Sequence, residues 1–261
     1  MEEIVQEVRG KTSAWIQIYL YKDRELSRNY IKRAEHAGYT VLLMTIDARR
    51  FGKRLSEWRN RFNAPETTPV PNLECSIAKC EPMLSDGQHP FRSELFFQIE
   101  KALSPSFDWD DLVWLKSITS MKVVVKGIMT PEDAEMAIQY GADGIFVSNH
   151  GGRQLDFVPA SIEVLPMIAK QVAGRVPVLF DGGVRKGSDV LKALALGADM
   201  VFLGRPILYG IAVGGSSGVD RTLEILEMEL RQSMNACGIA NVGNISREAI
   251  VRRSNIDSLI D

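Results

Sequence analysis

The chain is poor in the residues that would make it a disulfide scaffold, a zinc protein or a membrane protein. Its 261 residues include only three cysteines, Cys75, Cys80 and Cys237. Their odd number and wide separation argue against a disulfide framework, and Cys75 and Cys80 are too far apart for a C-x-x-C redox or zinc pair. Histidine is equally scarce. His36, His89 and His150 are scattered, so no metal centre is expected. No run approaches the roughly 20 apolar residues of a membrane-spanning helix. The start, Met-Glu-Glu-Ile-Val-Gln-Glu-Val-Arg, has the pattern of an acidic amphipathic helix and resembles neither a secretory signal nor an Arg-rich transit peptide. The final Ser-Leu-Ile-Asp is not a peroxisomal address. An intracellular, cytoplasmic, reducing setting is the expectation. Charge of one sign is lacking too: a formal net charge of −2 gives no electrostatic case for nucleic acid or an anionic membrane surface.

What is present is an alternation. A hydrophobic content of 45% and a charged content of 25% are those of an ordinary globular protein. The length suits one large α/β domain or two small ones. Apolar, β-branched segments at 15–21, 40–47, 122–128, 144–148, 177–181 and 200–203 read as strands. Helical patterns at 2–8, 24–36, 93–103, 109–118, 131–140, 161–172, 188–196 and 221–237 lie between and around them. Strand and helix alternate six times, which predicts a parallel sheet with helical crossovers. The stretch 48–90 breaks the pattern. It is basic at first, then carries Pro65, Pro69, Pro71, Pro82 and Pro90, and reads as a long mobile loop within a single domain spanning 1–261.

Two parallel architectures compete, an open doubly wound sheet and a (β/α)8 barrel. No strand leads straight into G-x-G-x-x-G, which weakens a dinucleotide-binding reading. Polar residues sit instead towards the C-terminal ends of the strands: Gln17, Tyr19, Thr45, Asp47, Lys126, Ser148, His150, Asp181 and Gly204. A site assembled from many strand ends is the habit of the barrel. The fold expected is therefore a TIM (β/α)8-type barrel, incomplete, with six of its eight βα units visible.

Three features carry chemistry. The first is Gly144-Ile-Phe-Val-Ser-Asn-His-Gly-Gly-Arg-Gln-Leu-Asp156, an apolar strand that ends in a polar loop. An isolated His there would be an ordinary turn residue. A His, an Arg and an Asp within seven residues, around two glycines, point to a site. The second is Asp181-Gly-Gly-Val-Arg-Lys-Gly187, followed after the next strand by Gly204-Arg-Pro206. Glycines let backbone N–H groups approach a phosphate and arginines neutralise it. The third is Lys126, which ends the buried run Val123-Val-Val-Lys-Gly-Ile128 and must find a partner or face a cleft.

Ser148-Asn-His-Gly-Gly-Arg-Gln-Leu-Asp156 resembles the signature of the FMN-dependent α-hydroxy acid dehydrogenase and oxidase family, and the resemblance runs from about Trp15 to about Glu248. It implies FMN as cofactor and oxidation of a small L-2-hydroxy acid, such as lactate or glycolate, to the 2-oxo acid. It implies His150 as the base and Asp47 as the carboxylate that orients and stabilises the imidazolium. Arg153 and the more mobile Arg54 would clamp the substrate carboxylate, and Tyr19 would hydrogen-bond its hydroxyl. Gln17, Thr45 and Ser148 would contact the isoalloxazine ring. Lys126 would lie beside the N1 and C2=O groups. Asp181 would hold the ribityl hydroxyls, and Gly183, Arg185, Gly204 and Arg205 the phosphate. Whether the substrate gives up a hydride or a carbanion forms stays open.

The chain also departs from the family. The family's strand usually continues Val-Asp-Thr-Pro, whereas this one reads Ile46-Asp47-Ala48-Arg49. The segment preceding Trp15 in the family, with two barrel strands, a second substrate tyrosine and a small residue linked to oxygen reactivity, has no counterpart. With six strands the edges at 15 and 203 stay open. Ile18, Tyr19 and Val201 are expected near water, with weak FMN binding and edge-to-edge pairing, and a homo-oligomer is among the expectations. A truncated, non-catalytic flavin- or partner-binding protein is the alternative. A phosphate-binding isomerase- or aldolase-type barrel is a third reading, but it gives His150 and Arg153 no role.

Overall fold

The computed structural model describes residues 1–48, 50–52, 54–60 and 99–251. Six parallel strands follow one another in the sheet in chain order. They are β1 (Trp15–Ile18), β2 (Val41–Thr45), β3 (Lys122–Ile128), β4 (Gly144–Val147), β5 (Val178–Phe180) and β6 (Met200–Val201). The helices are α1 (Glu2–Val8), α2 (Arg24–Ala37), α3 (Leu55–Arg59), α4 (Trp109–Ile118), α5 (Pro131–Gln139), α6 (Ser161–Val172), α7 (Gly187–Ala195) and α8 (Arg205–Ala236). Each strand is followed by helix, as in an incomplete (β/α)8 barrel. The chain divides into two compact units, residues 1–126 with 140–142 and 153–155, and residues 127–139, 143–152 and 156–261.

In the first unit, β1 pairs with β2 and β2 with β3, in registers that place Gln17 beside Leu43 and Thr45 beside Lys126. The strands are short because the apolar run is short. Leu42, Val123 and Val125 are fully buried, as expected where a parallel sheet is covered on both faces. Helix α2 buries Ser27, Ile31 and Ala34 along one stripe. The Asp23 side chain starts it by accepting from the N–H groups of Glu25 and Leu26, at 2.9 and 3.2 Å. Helix α4 opens on a capping box in which Asp108 and Asp111 exchange hydrogen bonds.

The second unit holds β4, β5 and β6 in parallel register, with Phe146 beside Leu179 and Phe180 beside Val201. Phe146 and Phe180 are 1% exposed, and the Phe146 ring lies 4.7 Å from that of Phe202. Burying each such ring contributes roughly 1.5–3 kcal/mol. Thr130 caps α5 through the N–H of Asp133 at 3.2 Å, as its place before Pro131 implies.

Several boundaries differ from the sequence expectation. Strand β1 ends at Ile18 because the chain then leaves the sheet: Tyr21 forms an antiparallel bridge with Leu103, and Ser104 N–H donates to the Leu20 carbonyl at 2.7 Å. Helix α3 lies inside the stretch expected to be a loop. Of the rest of that loop only 48, 50–52, 54 and 60 are described, and most of the helix expected at 93–103 lies outside the described residues. Helical structure begins at Arg205 rather than at 221, with a break at Gly214 and Gly215. Its glycines disguise a helical segment as a turn. Ile18, expected near water, is 5% exposed. Tyr19 and Val201 are half-buried. On the last strand the exposed side chain is Met200.

Glu35, near the end of α2, binds the turn before β3. It accepts from Thr119 Oγ1, Ser120 N and Ser120 Oγ at 3.0, 2.6 and 2.6 Å, and from Lys32 Nζ at 2.7 Å. These donors, Lys32 first, hold its carboxyl at about 2 rather than 4.5. A depressed carboxylate adds stability above its unfolded value and loses it as pH falls through its folded value. Glu35→Gln should lower stability by about 1–2 kcal/mol at neutral pH, after allowance for solvent screening. The gap between the variant and the unaltered chain should close between pH 4.5 and about 2. Urea unfolding across that range measures it, and a gap independent of pH would show that the carboxylate's charge is not what binds the turn.

Candidate active site

The polar ends of the strands form a group in each unit. In the first, in-register neighbours on a parallel sheet share a face, and side chains alternate between faces. Gln17, Thr45 and Lys126 therefore project to one side. Gln17 Nε2 donates to Thr45 Oγ1 at 2.8 Å. Thr45 is buried, Lys126 half-buried and Gln17 exposed. Just beyond β1 the half-buried Tyr19 stands in the field of three charged groups. Burial raises the pKa of its phenol above the ordinary value and Asp47 raises it further, whereas Arg54, Arg153 and a hydrogen bond with Gln17 oppose the rise. The phenol thus lies within the electrostatic reach of one carboxylate and two guanidinium groups. Arg153 is exposed, and the Arg54 guanidinium lies over the Phe51 ring, 5.3 Å from its centroid.

The backbone around this group is held by a residue the sequence reading passed over. Gln154 Nε2 donates to the carbonyls of Asp47 and Arg50 at 3.2 and 3.0 Å, and its Oε1 accepts from Gly52 N–H at 3.2 Å. One amide thus fastens the segment after β2 to the segment that carries Arg153. Gly52 has to be glycine, because a Cβ there would lie 2.5 Å from the Gln154 carbonyl oxygen and against the Arg153 carbonyl. Only the neighbouring Arg153 hinted at this role, since the partners of Gln154 lie about 100 positions away.

In the second unit, Ser148 is fully buried, and its Oγ accepts from His150 N–H at 3.1 Å. His150 is half-buried and opens a short 3-10 turn, His150–Gly152, with a positive φ of 59°. Asn149 secures that turn by accepting from Gly152 N–H on both its carbonyl and its Oδ1, at 3.1 and 3.2 Å. Asp181 follows β5 directly, and its carbonyl accepts from Ser161 Oγ at 2.6 Å. A cleft of about 450 Å³ is lined by Asn149, Gly151, Gly152, Ser161, Gly182, Gly183, Asp189, Lys192 and Arg205, among others. Arg205 Nη2 donates to the Gly151 carbonyl at 2.9 Å. Gly183 has a φ of 73°, and a Cβ there would meet nothing within 4 Å. Of the phosphate residues expected, Gly183 and Arg205 line the cleft. Arg185 and Gly204, both exposed, adjoin it in the chain without lining it. The sequence reading missed Asn149, Ser161 and Lys192. Open glycine backbone beside a guanidinium and an ammonium is the donor set a phosphate group needs, so the residues present fit one.

A family model described as "FMN-dependent dehydrogenase" matches residues 1–252. The chain belongs to the FMN-dependent dehydrogenase family. That membership indicates FMN as the cofactor, a group whose phosphate the donors lining the cleft would suit. The chain is 47% identical over 252 residues to 2-hydroxyacid oxidase 1 of Mus musculus, covering 97% of this chain and 67% of that protein. It is 48% identical to the 2-hydroxyacid oxidase of Dictyostelium discoideum, covering 90% of this chain and 58% of that protein. A solved mandelate oxidase with (S)-4-hydroxymandelic acid superposes with a TM-score of 0.83 at 38% identity, over 94% of this chain and 66% of that one. A lactate oxidase of Pediococcus acidilactici gives 0.76 at 38% identity, over 92% and 60%. The chain thus spans about 60–67% of the length of most of these relatives and 58% of the Dictyostelium enzyme. No helix among the described residues is long and apolar enough to cross a membrane.

The Gly52 contact is testable. Gly52→Ala should force the segment after β2 away from Gln154, at a cost of about 1–3 kcal/mol for an overpacked backbone contact. A lower urea midpoint and faster proteolytic cleavage between 47 and 60 are expected. An unchanged midpoint together with unchanged cleavage would mean that the two segments do not depend on this close approach.

Proposed function

We propose that the chain, acting as one FMN-binding domain, oxidises a small L-2-hydroxy acid to the 2-oxo acid. The observation that carries this reading is the electrostatic influence of Asp47, Arg54 and Arg153 on Tyr19, with Gln154 fastening the Asp47 carbonyl to the segment that carries Arg153. Two guanidinium groups match a carboxylate, and a phenol beside them matches the hydroxyl on the adjacent carbon. Supporting it, the relatives named above are oxidases of 2-hydroxy acids, mandelate and lactate.

The oxidation removes two electrons and two protons from the substrate. FMN, when bound, supplies the two-electron acceptor. Arg153 and Arg54 hold the substrate carboxylate, and Tyr19 orients the hydroxyl. His150 receives a substrate proton, and Asp47 is the carboxylate that favours the imidazolium so formed. Gln17, Thr45 and Ser148 contact the flavin ring, Lys126 supplies positive charge beside it, and Asp181 engages the ribityl chain. Gly183, Arg185, Gly204 and Arg205 bind the phosphate. An intracellular, reducing setting accords with Cys237, an exposed free thiol.

A flavin- or partner-binding protein without turnover is the alternative reading. A visible flavin spectrum that bleaches anaerobically under L-lactate, glycolate or mandelate supports catalysis. Colour without bleaching supports the alternative.

His150→Gln should bind flavin nearly normally and lower turnover by roughly two to four orders of magnitude, the usual effect of losing a placed general base. Steady-state turnover equal to that of the unaltered chain would remove His150 from the chemistry.

Lys126→Met should lower the flavin midpoint potential, because the charge that favours the reduced anion is gone. A spectroelectrochemical potential that does not move would place Lys126 away from the reducible edge of the ring.

A further inference from the structure

The loop that joins β5 to α7 contains the phosphate motif, and its backbone is held by two carboxylates that the proposed chemistry does not use. Asp189 Oδ2 accepts from the N–H groups of Arg185 and Lys186, each at 3.1 Å. Glu229, on α8, accepts from Gly187 N–H at 2.8 Å through Oε2. The N–H groups of Arg185, Lys186 and Gly187, which lead into α7 and would otherwise be open to a bound anion, are therefore engaged by acids. Gly187 is pressed against the backbone of α8, where a Cβ would lie 2.6 Å from the Leu226 carbonyl. At the other end of the loop, Ser161 holds the Asp181 carbonyl. The donors that neither carboxylate engages are the N–H groups of Gly182, Gly183 and Val184, and Gly182 and Gly183 line the cleft.

We propose that Asp189 and Glu229 are positioning residues for the phosphate end of FMN. They fix the backbone at 185–187 from which the Arg185 side chain departs. They also leave the glycine end of the loop, 182–184, as the part whose amides meet the phosphate. This inference rests on the reading of FMN as ligand. It extends that reading by separating one loop into a recognising half and a held half. Acid side chains so close to an anion site would oppose binding if their charge were uncompensated. Asp189 is compensated by Lys192, whose Nζ lies 3.3 Å from Oδ1, and both carboxylates are engaged by backbone N–H groups.

The experiment compares FMN with riboflavin, which has the same ring and ribityl chain but no phosphate. The unaltered chain should bind FMN more tightly than riboflavin. In Asp189→Asn and Glu229→Gln the FMN affinity should fall about tenfold, the effect of one lost charge-assisted hydrogen bond. Riboflavin affinity should stay within about twofold. Parallel loss for both ligands would reduce the two acids to ordinary helix capping and overturn the inference. Unchanged FMN affinity in both variants would do the same. No preference for FMN in the unaltered chain would overturn the FMN reading itself, and the inference with it. Amide hydrogen exchange on the unaltered chain gives a check that needs no variant. FMN should protect residues 182–184 and leave 185–187 as they were, and new protection at 185–187 would refute the division.

Discussion

Parallel strands covered on both faces have one place for charge, which is their ends. Val123, Val125, Ile145 and Val147 are fully buried, and a charged group among them would lose its hydration without a partner. The polar exceptions inside the sheet prove the constraint. Thr45 lies at the last position of β2 and hydrogen-bonds Gln17. Ser148 lies immediately after β4 and accepts from His150 N–H. Everything proposed to touch cofactor or substrate follows from that exclusion, because the runs end where the side chains turn polar.

A second regularity is that loops are held by side chains that collect backbone N–H groups or carbonyls. Glu35 gathers the turn before β3, Gln154 the segment after β2, Asp189 and Glu229 the start of α7, and Asn149 the turn after β4. Glu35, Gln154 and Asp189 each fix two or more residues, whereas Glu229 Oε2 fixes Gly187 and Asn149 Oδ1 fixes Gly152. This suits loops that must present chemistry without a hydrophobic core of their own. It also explains why glycine recurs beside these side chains, since Gly52 and Gly187 admit a backbone approach that any side chain would block.

Much of this was legible in the sequence, and the reasons differ from place to place. The spans of β3, α4 and α6 follow directly from apolar periodicity, because propensity and burial agree there, and that of α1, which buries no residue, follows from its helical pattern alone. The motif around His150 and the glycine loop at 181–187 could be read because the chemistry-bearing residues are close together in the chain. Helix α8 could not be bounded, because Gly210, Gly214, Gly215 and Gly218 read as turn while the structure uses them within and between helical turns. Gln154 and Glu229 were invisible because their partners are remote in sequence. A hydrogen bond across some 100 residues leaves no local signature. Ile18 was misjudged by reasoning from missing strands alone. It is buried, although it lies on β1, which among the described residues pairs in the sheet with β2 alone.

The φ of 59° at His150 bears on how such a site can change over evolutionary time. A left-handed backbone suits glycine, and a branched or bulky residue is strained there by about 1 kcal/mol or more. Selection for stability alone would drift this position towards glycine or asparagine, extending the glycine run that follows. Under the role proposed for His150, an imidazole kept in that conformation marks a position where fitness and thermodynamic stability pull in opposite directions. Once the demand for the side chain lapsed, decay would be downhill in free energy. A loss-of-function lineage could then gain robustness at the step that abolishes its chemistry, and it would seldom find the way back.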